Sequence, residues 1–111
     1  RQEPLIRAKH LESQRVEAEQ EDATRRYQQA LDESVLELQT LERQIERLQS
    51  VGIALAVDRS ALALSSYQSG KADLGSVLAA RAQVLEARLR LIELQAQRDG
   101  LLVRLNSLIA E

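Results

Sequence analysis

The chain has no cysteine, methionine, tryptophan or phenylalanine, and its only aromatics are Tyr27 and Tyr67. Without cysteine there is no disulfide framework and no thiolate metal site. Without large aromatics, it lacks the side chains that usually dominate the buried area of a globular core. A single proline and four glycines leave long stretches with no helix breaker. The longest strictly apolar run, Ile53 to Val57, is far too short to span a bilayer. Fifteen Lys and Arg are interleaved with seventeen Asp and Glu, so there is no basic stripe and no nucleic-acid partner is expected. The opening RQEPLI has no signal-peptide character. What is present is mainly Leu, Ala, Val and Ile, with 29% charged residues. That composition marks coiled coils and long helices. A length of 111 residues allows one small domain, and a chain that begins and ends inside charged helix reads as a piece of a larger protein.

The turn signals gather in one place. Pro4 suits a first helical position, with Glu3 beside the N-terminal dipole. No proline follows, and before residue 70 only Gly52 weakens the helix. Gly70 suits the left-handed residue that ends a helix, and Asp73 suits the cap of the next one. Ala72 and Val77 stand at the spacing of a weak hydrophobic staple. The expected fold is all-α: one long antiparallel, coiled-coil-like helical hairpin spanning 1–111. Its expected parts are a helix over 4–68, a turn at 69–73 and a helix over 74–110.

Heptad spacing agrees with this. On the second arm, Val77, Ala80, Val84, Ala87, Leu91, Leu94, Arg98, Leu101, Leu105 and Leu108 follow a 3-4 pattern without a slip. On the first arm, Leu31, Ser34, Leu38, Leu41, Ile45, Leu48, Gly52, Leu55, Arg59, Leu62 and Ser66 do the same. Folding at the turn sets Leu55 against Ala87, Leu48 against Leu94, Leu41 against Leu101 and Leu38 against Leu105. Gly52 is expected to lie inside an unbroken helix and to admit Leu91 as a knob.

Two features exceed a two-stranded coil. The arms are unequal, about 63 and about 37 residues, or roughly 95 and 55 Å of helix, which leaves residues 5–30 without a partner in the chain. The second arm also carries another apolar stripe, Leu78, Leu85, Leu89, Ile92, Ala96 and Val103, and Val35, Ile53, Val57 and Leu64 widen the first arm likewise. A helix apolar over two adjacent seams wants neighbours on both sides. More helices are implied than the chain contains.

The segment ALALSSYQSGKADLGSVLAARAQVLEARLRL resembles the outer membrane factors of the TolC family, the exit ducts of tripartite efflux systems. The family's repeats carry a Tyr, a Gly three residues later and an apolar helix start; here these are Tyr67, Gly70, Val77, Leu78 and Ala80. The opening RQEPLIRAKHLE is similar to the heavy-metal-efflux branch of the CzcC and CusC type, which implies heavy-metal cations as cargo. The resemblance implies one periplasmic hairpin of a Gram-negative outer-membrane protein, cut from the second repeat. In that family three subunits form a hollow helical barrel below a membrane β-barrel, the part absent here and the only part that touches the membrane. The hairpin turn lies at the channel entrance, where the periplasmic adaptor of the inner-membrane RND pump docks. Carried over, the docking residues are Tyr67, Ser69, Gly70, Lys71, Ala72, Asp73 and Leu74. The family's acidic residues after the tip correspond to Ser76 and Ala79, which argues against carboxylate gating by this hairpin.

Local readings of the same residues stand beside this one. Gly70 with Asp73 makes a turn in any hairpin, and Tyr67 covers a helix end as readily as it contacts a partner. His10 is a lone surface imidazole between Lys9 and Glu12, with no second His, Cys or Met to complete a metal site. Glu17, Glu19, Glu21 and Asp22 read as a solvated or channel-facing cluster. Glu42 and Glu46 are expected to find helix-spaced partners in Arg43 and Arg47. No nucleophile–base pair or phosphate loop occurs, so neither an enzyme nor a cofactor is expected. Two other architectures compete: the helical hairpin of the adaptor itself, whose arms are nearly equal, and a three-helix module of spectrin type broken near Gly52.

Overall fold

The computed structural model describes residues 2–110. Helix α1 spans Gln2–Arg47, a π-helical turn covers Leu48–Gly52, α2 spans Ile53–Gln68 and α3 spans Leu74–Ala110. Among the described residues there is no strand, and the chain reverses once, at 69–73, where the sequence places the turn. Among the described residues no helix is long and apolar enough to cross a membrane. Pro4 and Glu3 both fall in the first turn of α1, the one place where a missing backbone donor costs nothing.

The chain divides into two units, up to Val35 and from Leu36. The first is a stretch of α1 with polar contacts between successive helical turns. Arg15 pairs with Glu19 at 3.8 Å and Arg26 with Asp22 at 2.7 Å. Gln28 donates to Asp32 and Gln29 to Glu33, and Thr24 Oγ1 donates to the Gln20 carbonyl. All join residues four apart, the neighbours a helix surface provides. Exposed pairs of this kind contribute little. Leu5, Ile6, Leu11 and Val16 are exposed.

The second unit is the hairpin. Its buried side chains are Leu41 and Ile45 of α1 and Val77, Leu94, Leu101 and Leu105 of α3. Burying each contributes about 1.5–3 kcal/mol. On α3 every position of the expected seam is buried or half-buried, from Val77 to Leu108. Arg98 keeps its place there half-buried, its stem lying along the seam while its Nε meets Asp99 at 3.2 Å. Leu48 and Leu94 line one groove, together with Val51, Gly52 and Arg90, as the expected pairing requires.

The long arm departs from expectation at Gly52. The helix is not α throughout: Leu48–Gly52 is a π turn, and the Ile53 N–H donates to the Leu48 carbonyl five residues back. Such a turn adds one residue to the winding. Beyond it half-buried Ile53, Ala56, Ser60 and Ala63 each lie one residue later than heptad counting places the inward positions. Leu64 is half-buried beside them, and Ser66, next to the turn, is half-buried at its counted place. Leu55, Arg59 and Leu62 turn outward, and the two leucines are 46% and 68% exposed. Leu55 therefore does not fill a layer against Ala87. Nor does Leu91 enter beside Gly52: the only side chain near the space a Cβ would take there is Leu48, whose Cδ1 would stand 2.7 Å from it. Gly52 itself is helical, with φ −61° and ψ −50°, so it does not break the arm as a three-helix module would need.

Ser50 completes the turn. Its Oγ donates to the Glu46 carbonyl at 2.7 Å, a back-bond that accompanies local bending of helices. Arg43 donates to Thr40 Oγ1 at 3.3 Å. The ion pairs among the described residues lie elsewhere, at Arg15, Arg26, Arg90 and Arg98 rather than at Glu42 and Glu46.

Candidate docking tip

The tip is built by satisfying the last carbonyls of α2. The Ser69 N–H reaches the Ser65 carbonyl at 3.1 Å, and the Gly70 N–H reaches that of Tyr67 at 3.0 Å. The Ser66 carbonyl accepts three hydrogen bonds: from the Lys71 N–H at 2.8 Å, the Ala72 N–H at 3.2 Å and the Ser69 hydroxyl at 3.1 Å. The five-residue return from Lys71 to Ser66 requires a left-handed residue between them. Gly70 supplies it, with φ 78°. A Cβ on Gly70 would meet nothing within 4 Å. The constraint is the backbone conformation alone, and open space surrounds it.

Asp73 then starts α3. Its Oδ1 accepts the Ser76 N–H at 2.9 Å and the Ser76 hydroxyl at 2.7 Å. These bonds favour the ionised carboxylate and hold its pKa below the ordinary 3.8, the hydroxyl contributing most. From sequence, Ser76 stands only as a position that lacks a gating acid, not as a partner of Asp73. The signal is there, since an acceptor followed three residues later by a hydroxyl mirrors the capping box, but with Ser in place of Glu the side chain reaches back to the cap carboxylate rather than to the cap N–H.

All seven expected docking residues fall at this end of the hairpin. Ser69, Gly70, Lys71, Ala72 and Asp73 form the turn, Tyr67 sits in the last turn of α2, and Leu74 opens α3. Ala72 is half-buried and the other six are exposed, with Tyr67 and Leu74 presenting apolar surface. At the two positions that the resemblance aligns with acidic residues, Ser76 is committed to Asp73 and Ala79 is exposed. No titratable side chain other than Asp73 belongs to the tip network.

Elsewhere the described residues offer little for chemistry. No group of three His, Asp or Glu is placed to hold a metal. His10 meets Gln14 at 3.3 Å. Within the acidic cluster, Glu19 and Asp22 are spoken for by Arg15 and Arg26. Among the described residues no buried side-chain polar atom lacks a partner. No protein-family model, curated protein or solved structure matches this chain.

Proposed function

We propose that this chain is a periplasmic α-barrel segment of a trimeric outer-membrane efflux channel, forming part of the exit duct and docking the periplasmic adaptor of an RND-type pump through its tip. The observation that carries the reading is the second apolar stripe of α3. Leu78, Leu85, Leu89, Ile92 and Val103 remain between 57% and 70% exposed on a helix whose first stripe is already seated. An apolar row of that extent requires further helices on its flank, as a barrel wall provides. Unequal runs of helix, 67 residues before the turn and 37 after it, also support the reading. So does a tip that pairs a left-handed glycine with exposed Tyr67 and Leu74. Heavy-metal cations are the cargo proposed, from the resemblance of the opening segment.

The test is site-specific photo-cross-linking in the full-length protein. A cross-linker at Lys71 is expected to capture the adaptor, and one at Leu85 to capture a second copy of the channel subunit. A cross-linker at exposed Gln39 is expected to capture no adaptor. Equal capture from Lys71 and Gln39, or no subunit ladder from Leu85, overturns the proposal.

A further inference from the structure

Two ladders of side chains on α2 continue the seam that Leu41, Ile45 and Leu48 begin. Counted through unbroken α-helix, the ladder is Leu55, Arg59 and Leu62. Counted through the π turn it is Ala56, Ser60 and Ala63, and this is the one turned inward. One residue is the whole difference, worth about 100° of rotation and about 1.5 Å of rise. We propose that the Leu48–Gly52 turn is a register switch: α2 has two seatings on α3, and annealing of the π turn to α-helix rolls Leu55 and Leu62 into the seam in place of Ala56 and Ala63.

The facing surface accepts either ladder. Over this stretch α3 presents Val77, Ala80, Val84 and Ala87, all small. In the seating observed, Ala56, Ser60 and Ala63 meet these small residues with half-buried Ile53 and Leu64 beside them, and Leu55 and Leu62 stay in solvent. In the other, leucines on α2 lie over alanines on α3, a large-on-small arrangement that fills a seam as well. Its cost is Arg59, which enters the seam and must be lifted out along its own stem, as half-buried Arg98 already is. Leu55 and Leu62 come in as half-buried Ile53 and Leu64 turn out, so the apolar exchange nearly cancels and the seatings differ mainly by the entry of Arg59.

The turn is also built to convert. Arg47, Gly52 and Ile53 all lie in the ordinary right-handed region, at φ/ψ of −61/−41°, −61/−50° and −68/−44°. No residue there crosses a backbone barrier when the bond from Ile53 to the Leu48 carbonyl shortens by one residue. Gly52 leaves the space into which Leu48 Cδ1 projects, and the exposed 69–73 turn absorbs the small axial shift. Ser50, bonded to Glu46, steadies the observed form. A gap of a few kcal/mol places the second seating at about 0.1–10% of the population. The inference stands independently of the efflux reading.

The chain contains no cysteine, so an introduced thiol is the only one. The Ala63→Cys thiol is half-buried in the observed seating and turned by about 100°, to the flank of the seam, in the other. Deleting Gln49 locks the observed seating, because Ile53, Ala56, Ser60 and Ala63 then follow Leu48 at α spacing. Arg59→Leu favours the other. Maleimide labelling of Ala63→Cys in the intact hairpin is expected to slow about tenfold or more on deletion of Gln49, as the minor population disappears. It is expected to quicken with Arg59→Leu, but not when Gln49 is also deleted. Val84→Cys, which faces α2 in both seatings, is expected to label at one slow rate throughout. Equal Ala63→Cys rates with and without Gln49, no response to Arg59→Leu, or a parallel rise at Val84→Cys each overturn the proposal. Should the deletion lower helicity by circular dichroism, the Arg59→Leu and Val84→Cys arms decide it alone.

Discussion

Asp73 accepts both hydrogen bonds that Ser76 directs at it, the backbone N–H at 2.9 Å and the hydroxyl at 2.7 Å, on the same carboxylate oxygen. The start of α3 is therefore tied to an ionised side chain whose pKa lies below the ordinary 3.8. A group depressed on folding stabilises at pH above its unfolded value, and that contribution is lost as pH falls through the lower folded value. Melting temperatures followed by circular dichroism are expected to fall more steeply in the wild type than in Asp73→Asn between about pH 5 and pH 2. The amide keeps a capping oxygen but does not titrate there. Ser76→Ala is expected to return the Asp73 carboxyl toward its ordinary titration in an NMR pH series. Parallel melting curves for wild type and Asp73→Asn would remove this residue from the acid response.

The hairpin's seam is testable one layer at a time. Leu94 is buried and half-buried Leu48 shares its groove. Leu94→Ala is expected to cost about 2–5 kcal/mol, and Leu48→Ala to fall toward the lower end. Because the side chains line one groove, the double variant is expected to differ from the sum by about 0.5–3 kcal/mol. Denaturant melts of the four proteins measure the coupling, and strict additivity would separate the two residues into different layers.

Past the π turn the distinction lies between adjacent residues. Leu62 is outward and Ala63 inward. Leu62→Gln is expected to change stability by no more than about 0.5 kcal/mol, as an ordinary surface replacement does. Ala63→Leu is expected to cost about 1–3 kcal/mol, because in this seating the two helices are closed up around an alanine there, beside half-buried Leu64. Heptad counting through an unbroken helix predicts the opposite order, so chemical denaturation of these two variants alone tells which winding the long arm adopts.

The one-residue slip shows where sequence reading works and where it stops. On α3 the 3-4 pattern marks the inward face from Val77 to Leu108, because every hydrogen bond there joins residues four apart and side-chain direction follows from counting. The turn at 69–73 is legible because Gly70 and Asp73 each perform a backbone task that few residues can. The π turn has no such residue signature. A lone Gly52 reads as a tolerated weak point, and leucines at 55 and 62 look better suited to a seam than alanines at 56 and 63. The one local inconsistency was Arg59, a charge placed in the middle of an apolar layer; in the structure it is exposed. The bond from Ser76 to Asp73 is illegible for a different reason, since it is a geometric match between two side chains rather than a pattern.

Docking at the tip makes a demand that turning the chain does not. A turn needs Gly70 left-handed and Asp73 as cap, and both leave the outer surface free to vary. Lys71→Ala together with Asp73→Ser is then expected to preserve folding, because Ser also caps helices well. A docking end additionally requires close approach of a partner's backbone, which small residues permit and a large one blocks. Ala72 is the cleanest place to ask. It lacks the positive φ of Gly70, and its N–H rather than its side chain serves the turn. In the full-length protein Ala72→Trp is expected to leave trimer assembly unchanged while abolishing efflux-dependent resistance and cross-linking to the adaptor. Gln39→Trp, at an exposed position of α1, is expected to leave all three intact. Growth under toxic substrate and adaptor cross-linking are read side by side. Normal resistance and normal cross-linking with Ala72→Trp would reduce the tip to a chain reversal and leave the adaptor to some other surface.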